Sequence, residues 1–255
     1  MSGSQALFLF SHKLVGMKVA LFGYGKMGRI IEKILLERGH TITAKVNRDL
    51  PKEKVDLSDT DVVIEFSVPD IAAENIRYCL ENDVPVVVGT TGWYDKLGEL
   101  SEFCTTKSGA FLYATNFSLG VNLFFAVNRY LAGLMNQYAE YDAEITEIHH
   151  TQKLDSPSGT AISLAEQIID RIDRYDHWKN VKKTEISSPE TLSVESVRLP
   201  DVPGTHTITY NSDIDSLEIK HTAHNRKGFA LGSVFAAEWL VGKKGVFTMK
   251  DVLNL

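Results

Sequence analysis

The feature that most constrains this chain is a glycine loop set between two periodicities. Met17 to Phe22 (MKVALF) is an unbroken apolar run of strand length, and Gly23-Tyr24-Gly25-Lys26-Met27-Gly28 follows it directly. Met27, Ile30, Ile31, Ile34 and Leu35 then recur at helical spacing, and Gly39 ends the pattern. A G-x-G-x-x-G turn lets backbone N–H groups approach a pyrophosphate, which rests on the helix N-terminus. The motif alone is weak, but a strand before it and a helix after it supply the confirming context. Gly23, Tyr24, Gly25, Lys26, Met27 and Gly28 are therefore candidate contacts to a dinucleotide.

The alternation continues. Residues 41–46, 61–66, 85–88 and 110–113 read as further strands, with helices over 70–82 and 95–106. Short apolar strands alternating with amphipathic helices predict a parallel sheet covered on both faces, a doubly wound, Rossmann-like α/β domain. Ligands of such sheets bind beyond the carboxyl ends of the strands. That adds Asn47 and Arg48 after the second strand, Phe66 and Ser67 after the third, and Gly89, Thr90 and Thr91 after the fourth. Ala114, Thr115, Asn116 and Phe117 follow the fifth, with Asn116 also placed to cap the next helix. The tip of the second strand lacks the carboxylate that usually holds a ribose 2′-hydroxyl. Asn47 can bond a ribose and Arg48 can pair with a 2′-phosphate, so the cofactor expected is NADPH, or NADPH and NADH alike.

Beyond Phe117 the pattern changes. Residues 118–137 read as one long helix with Val121, Phe124, Val127, Leu131, Leu134 and Met135 on a face. Tyr141, Ala143 and Ile145 then alternate with polar neighbours, as do His206, Ile208 and Tyr210, and Leu217 and Ile219. Period-two alternation predicts a second, α+β domain with a mostly antiparallel sheet. A helix over 158–172 interrupts it, and 173–189 is polar and reads as loop. The apolar helix over 229–241 is expected to pack back on the first domain. The domains are thus 17–117 with 228–255, which carry the candidate dinucleotide contacts, and 118–227. Residues 1–16 read as a leader, a tag remnant or an extended start.

Composition narrows the function. The 27 Lys+Arg against 33 Asp+Glu give a net charge of −6 without a basic block, which argues against nucleic acid as a partner. No apolar run approaches the roughly 18 residues of a membrane helix. Cys79 and Cys104 lack any metal-ligand or CxxC spacing and read as reduced thiols of a cytoplasmic protein.

The densest chemistry lies in Glu147-Ile-His149-His150-Thr-Gln-Lys153-Leu-Asp-Ser-Pro-Ser158-Gly159-Thr160-Ala161, which starts at a strand end and finishes at a helix start. Ser158, Gly159 and Thr160 would present backbone N–H groups and hydroxyls to an anion. Lys153 adds a point charge, and His149 and His150 titrate near neutral pH. The set suits a carboxylate-bearing substrate that must gain a proton. No metal is expected, because adjacent strand histidines point to opposite faces and a third ligand is not evident. A different two-domain dehydrogenase would share the glycine loop without needing H-H-x-x-K and S-G-T. A nucleotide sensor would leave those residues without a role.

GYGKMGR, VVGTTG, ATNFSLGVN and above all E-I-H-H-T-Q-K-L-D-S-P-S-G-T-A resemble the bacterial dihydrodipicolinate (4-hydroxy-tetrahydrodipicolinate) reductases, in order and over nearly all of the chain from Met17. The resemblance implies NAD(P)H-dependent reduction of a ring dicarboxylate in the diaminopimelate and lysine pathway. By position it implies His149 as proton donor/acceptor and Lys153 as second proton donor. It matches His150, Gly159 and Thr160, with Ser158 beside them, to substrate binding. It further implies a homotetramer assembled by the second domain's sheet. Two departures touch cofactor choice: a glycine loop one residue shorter than is common in the family, and Asn47 where many members carry an acid.

Overall fold

The structure is a computed structural model that describes residues 16–182 and 188–255. The expectation for 1–16 falls outside it except at Gly16, as does 183–187 of the polar stretch. The chain divides into two compact units, one running up to Phe117 and resuming over Phe229–Leu255, the other Ser118–Gly228.

The first unit holds β1 (Lys18–Phe22), α1 (Lys26–Glu37), β2 (Thr41–Val46), β3 (Val62–Glu65), α2 (Pro69–Glu81), β4 (Val86–Val88), α3 (Leu97–Thr106) and β5 (Ala110–Tyr113). The sheet order is β2-β1-β3-β4-β5, and every pairing is parallel. Both faces are buried. Val19 and Leu21 of β1 face one core, with Ile31 and Leu35; Ala20 and Phe22 face the other, with Ile76 and Leu80. That two-sided burial is why these strands read as continuous apolar runs.

Two C-terminal elements complete the unit. A sixth strand, β11 (Gly245–Phe247), pairs in parallel with β5. Its three residues carry no alternation and leave no signal in the sequence. The apolar helix (Lys227–Leu240) packs as expected, with Ala230, Val234, Ala237 and Leu240 in the core of β1 and β3. Glu238 fixes it by accepting from Arg38 Nε at 2.7 Å and Nη2 at 2.9 Å. The His40 Nδ1 atom accepts from the Met17 amide, so its Nε2–H donates to Glu238 at 2.8 Å.

The second unit contains α4 (Leu119–Met135), β6 (Asp142–His149), α5 (Gly159–Ile169), β7 (His177–Val181), β8 (Thr191–Arg198), β9 (Gly204–Asn211) and β10 (Ser216–Ala223); the C-terminal helix is therefore α6. The sheet order is β10-β9-β6-β8-β7. The β10–β9 and β9–β6 ladders are antiparallel, as expected, while β6–β8 and β8–β7 are parallel and make the sheet mixed. Strand β7 corrects the reading of 173–189 as loop. It is a polar edge strand, exposed along most of its length, so it lacks the apolar alternation that marks a strand.

Ala143 and Ile145 of β6 and Ile208 and Tyr210 of β9 meet Leu164 and Ile168 of α5 and Phe124 and Met135 of α4. The inward face of α4 is Val121, Phe124, Asn128, Ala132 and Met135. Val127 and Leu134, expected on it, are exposed, because Asn128 turns inward to donate to the Leu164 carbonyl at 3.1 Å. The cap of α4 is Ser118, whose Oγ accepts from Val121, and not Asn116.

Candidate active site

In the first unit the carboxyl ends of β1, β3 and β4 converge on Phe66. Gly23 has φ +93, and a Cβ there would lie 2.1 Å from the Phe66 carbonyl oxygen. A Cβ on Gly89 would lie 2.1 Å from the Phe66 ring, which also packs on Phe117 at 5.9 Å. Both glycines therefore make room for Phe66. Gly28 lets α1 close on the Gly23 carbonyl, 2.5 Å from its missing Cβ. Gly25 differs: it is exposed at the N-cap of α1, and a Cβ there would meet nothing within 4 Å among the described residues. The first turn of α1 carries no acidic residue and no side-chain cap. An open helix start of positive polarity fits a pyrophosphate.

The neighbouring candidates fall into two sets. Lys26, Asn47, Arg48, Thr91 and Thr115 are exposed, and Tyr24, Met27, Ser67 and Ala114 are half-buried. Thr90, Asn116 and Phe117 are buried and belong to the wall behind. The Asn47 Oδ1 accepts from the amides of Asp49 and Leu50 at 2.8 and 2.9 Å, so what it can still offer a ribose is its amide N–H. The Tyr24 ring lies under Lys45 at 4.9 Å and Arg29 at 5.0 Å.

In the second unit, register builds the site. Residues two apart on a strand share a face, so Glu147 and His149 continue the inward row of Ala143 and Ile145. Glu147 stands directly opposite His206 on β9, and His149 opposite Arg198 on β8. Four polar side chains thus extend an apolar face at the point where α5 begins.

Glu147 is fully buried, and both its oxygens accept from the Ser158 amide, at 3.1 and 3.0 Å. Arg198 adds a contact to Oε1 at 3.2 Å. Burial alone would raise the pKa of Glu147, but contacts from His206, Ser158 and Ser196 outweigh it and hold the carboxyl well below its ordinary range. Ser158 is itself buried; its Oγ caps α5 by accepting from Ala161 and lies 3.1 Å from His206 Nε2.

His149 Nδ1 lies 3.2 Å from the Pro203 carbonyl, and its ring rests over Gly204. Burial first, then the neighbouring His206, hold its pKa down to about 4, with Glu147 pulling the other way. Lys153 binds both oxygens of Asp155 at 2.8 Å, which lowers the Asp155 pKa. Gly159 is exposed, while Thr160 and His150 are half-buried.

Comparison with known proteins places the chain. Residues 17–117 match the dihydrodipicolinate reductase N-terminus and residues 120–253 the C-terminus. The chain belongs to the dihydrodipicolinate reductase family. A 4-hydroxy-tetrahydrodipicolinate reductase of Christiangramia forsetii is 49% identical over 93% of this chain and 98% of its own length. One of Neisseria gonorrhoeae is 32% identical over 95% of this chain and 99% of its own. A solved dihydrodipicolinate reductase of Paenisporosarcina, bound to dipicolinate, shares the fold with a TM-score of 0.72 at 24% identity, covering 94% of this chain and all of that one. The activity is that of the family, a reductase step of lysine biosynthesis, and it implies a nicotinamide cofactor.

Sequence reasoning assigns Glu147, His206, Arg198 and Gly204 no role. Glu147 is legible as the residue two before His149, and His206 as an imidazole on an apolar strand face. Nothing local marks Arg198, which arrives through a parallel pairing with β6.

Proposed function

We propose that the end of β6 and the start of α5 hold the dicarboxylate substrate of this reductase and deliver the proton its reduction requires. Bound at the start of α1, a nicotinamide dinucleotide supplies the hydride. In the substrate, loss of water gives a conjugated imine, and after reduction at the ring carbon the enamine takes up a proton. His149 is the donor we assign, with Lys153 as the second. The amides of Gly159 and Thr160 and the Lys153 ammonium anchor one carboxylate, and His150 lines the same segment. Ser158 serves by pinning the helix start to Glu147 and His206.

The observation that carries this reading is the junction itself: an imidazole held by a backbone carbonyl, an ammonium and an exposed helix start, all gathered at one strand end. In the free chain His149 is neutral at pH 7. An approaching dianion favours its protonated form, so substrate charges the group that then gives up a proton.

The finer assignments are also proposals. The cofactor is NADPH, or NADPH and NADH alike, through Arg48. The assembly is a homotetramer in the cytoplasm. Its supports are the family resemblance, two free buried cysteines, and the outward face of the second sheet. That face carries Glu144, Thr146, Thr207 and Thr209, which are exposed or half-buried.

The test follows cofactor oxidation with substrate freshly made by the preceding synthase. His149→Gln should lower kcat by about 10²–10⁴-fold and leave the cofactor Kd unchanged. Unaltered turnover would remove His149 from the mechanism.

A further inference from the structure

Glu147, His149 and His206 form a triangle whose edges are all long for hydrogen bonds. The Oε2 of Glu147 is 3.5 Å from Nε2 of His149 and 3.7 Å from Nε2 of His206, and the two ring nitrogens are 3.4 Å apart. Hydrogen bonds to nitrogen donors are best at about 2.7–3.2 Å, so every edge is long. Metal–ligand bonds of about 2.0–2.2 Å at a tetrahedral angle put ligand atoms about 3.3–3.6 Å apart. The triangle has those proportions.

Proton placement points the same way. Ser158 Oγ accepts from Ala161 and has a second lone pair, so in its 3.1 Å contact with His206 Nε2 either atom can be the donor, and the ring nitrogen is able to act as an acceptor. The Pro203 carbonyl can only accept, which puts the His149 proton on Nδ1 and a lone pair on Nε2. The third corner is a carboxylate oxygen. With the His206 proton on Nδ1, a buried atom that has no hydrogen-bond partner among the described residues, three lone pairs converge, an arrangement that a cation both selects and completes. Outer contacts are in place too: Pro203 orients His149, while the Ser158 amide and Arg198 hold the carboxylate.

We propose that Glu147 Oε2, His149 Nε2 and His206 Nε2 are a three-ligand site for Zn²⁺ or a similar divalent ion. Two imidazoles and one carboxylate with a fourth position left to water are a donor set that suits zinc. His150 follows the end of β6 and takes no part. The third ligand comes from β9 through the Glu147–His206 register. The bound ion occupies the nitrogen assigned above to proton transfer, so metal switches the enzyme off reversibly. That consequence rests on the proposed role of His149, whereas the binding itself does not.

The experiment titrates the metal-free full chain with Zn²⁺ by calorimetry and with Co²⁺ by visible absorption. One equivalent per chain and a tetrahedral Co²⁺ spectrum are expected. His206→Gln and, at a less buried corner, His149→Gln should each weaken binding at least roughly tenfold. Substoichiometric uptake, or equal uptake by wild type and both variants, overturns the site. Turnover of the wild type should fall with occupancy and return on adding EDTA; full activity at one bound equivalent overturns the switch.

Discussion

The Cβ that Gly204 lacks would lie 2.8 Å from Cε1 of His149 and 3.2 Å from its Nδ1. A glycine at the first position of β9 is thus what allows the imidazole to approach the neighbouring strand and bond the Pro203 carbonyl.

Gly204→Ala should therefore act on the site and not on the fold. The methyl group meets the movable end of a side chain, so the ring shifts while the strand stays. A displacement of this kind is worth on the order of 10²-fold in rate. Steady-state kinetics should show kcat reduced with an unchanged circular dichroism spectrum and melting temperature. Wild-type kcat in the alanine variant would show that the position of the ring is immaterial.

Gly232 presents the opposite case. It sits inside α6, where glycine is about 1 kcal/mol poorer than alanine. Yet its Cβ would lie 1.7 Å from the Phe117 carbonyl oxygen. Backbone cannot yield as a side chain does, so overpacking here should cost about 2–3 kcal/mol or more. Urea denaturation should show Gly232→Ala with a clearly lower midpoint. A midpoint equal to or above wild type would mean that the close approach is not maintained in solution.

These two glycines show what the sequence could and could not carry. The parallel half is legible because each strand is apolar throughout and each helix is amphipathic, so two periodicities separate cleanly from Met17 to Tyr113. The segment from Glu147 to Ala161 is legible because its residue types are chemically dense. What escapes is whatever is set by register between distant strands. His206 and Arg198 lie far beyond His149 in the chain and reach it only through ladders with β9 and β8. Strand β7 escapes for a different reason: an edge strand facing water needs no apolar residues. Gly89 reads as a candidate ligand contact, and what the sequence does not show is that its missing side chain also makes room for Phe66.

Arg48 bears on cofactor choice. It is exposed after β2 in a turn held by the Asn47 Oδ1; the strand tip itself carries no carboxylate, and Asp49 lies one residue past Arg48. A guanidinium there can pair with a 2′-phosphate and gains little from a 2′-hydroxyl. Arg48→Ala should raise the Kd for NADPH roughly tenfold, the usual scale of one charge-assisted hydrogen bond, and leave NADH nearly unchanged. Fluorescence titration of both cofactors decides it, and equal losses would refute the phosphate contact.

Glu65 gives a prediction on stability. Its carboxyl is fully buried at the end of β3, where Oε1 accepts from the Ser67 amide at 3.0 Å and Asn75 at 3.2 Å while Oε2 has no hydrogen-bond partner among the described residues. Burial raises its pKa, and contacts with Ser67, Thr90 and Asn75 offset this only in part. The folded chain therefore holds this proton more tightly than the unfolded chain does. Where the unfolded state binds fewer protons, stability falls as pH rises. The Glu65 contribution is thus complete below the ordinary glutamate pKa and is lost as pH climbs through the raised one. The substitution Glu65→Gln would keep the acceptor, place an N–H where the orphaned oxygen lies, and remove the titration. Denaturation midpoints measured upward from the ordinary glutamate pKa of about 4.3 should decline less steeply for this variant than for wild type. Parallel profiles would mean that the buried carboxyl ionises as readily in the fold as in the open chain.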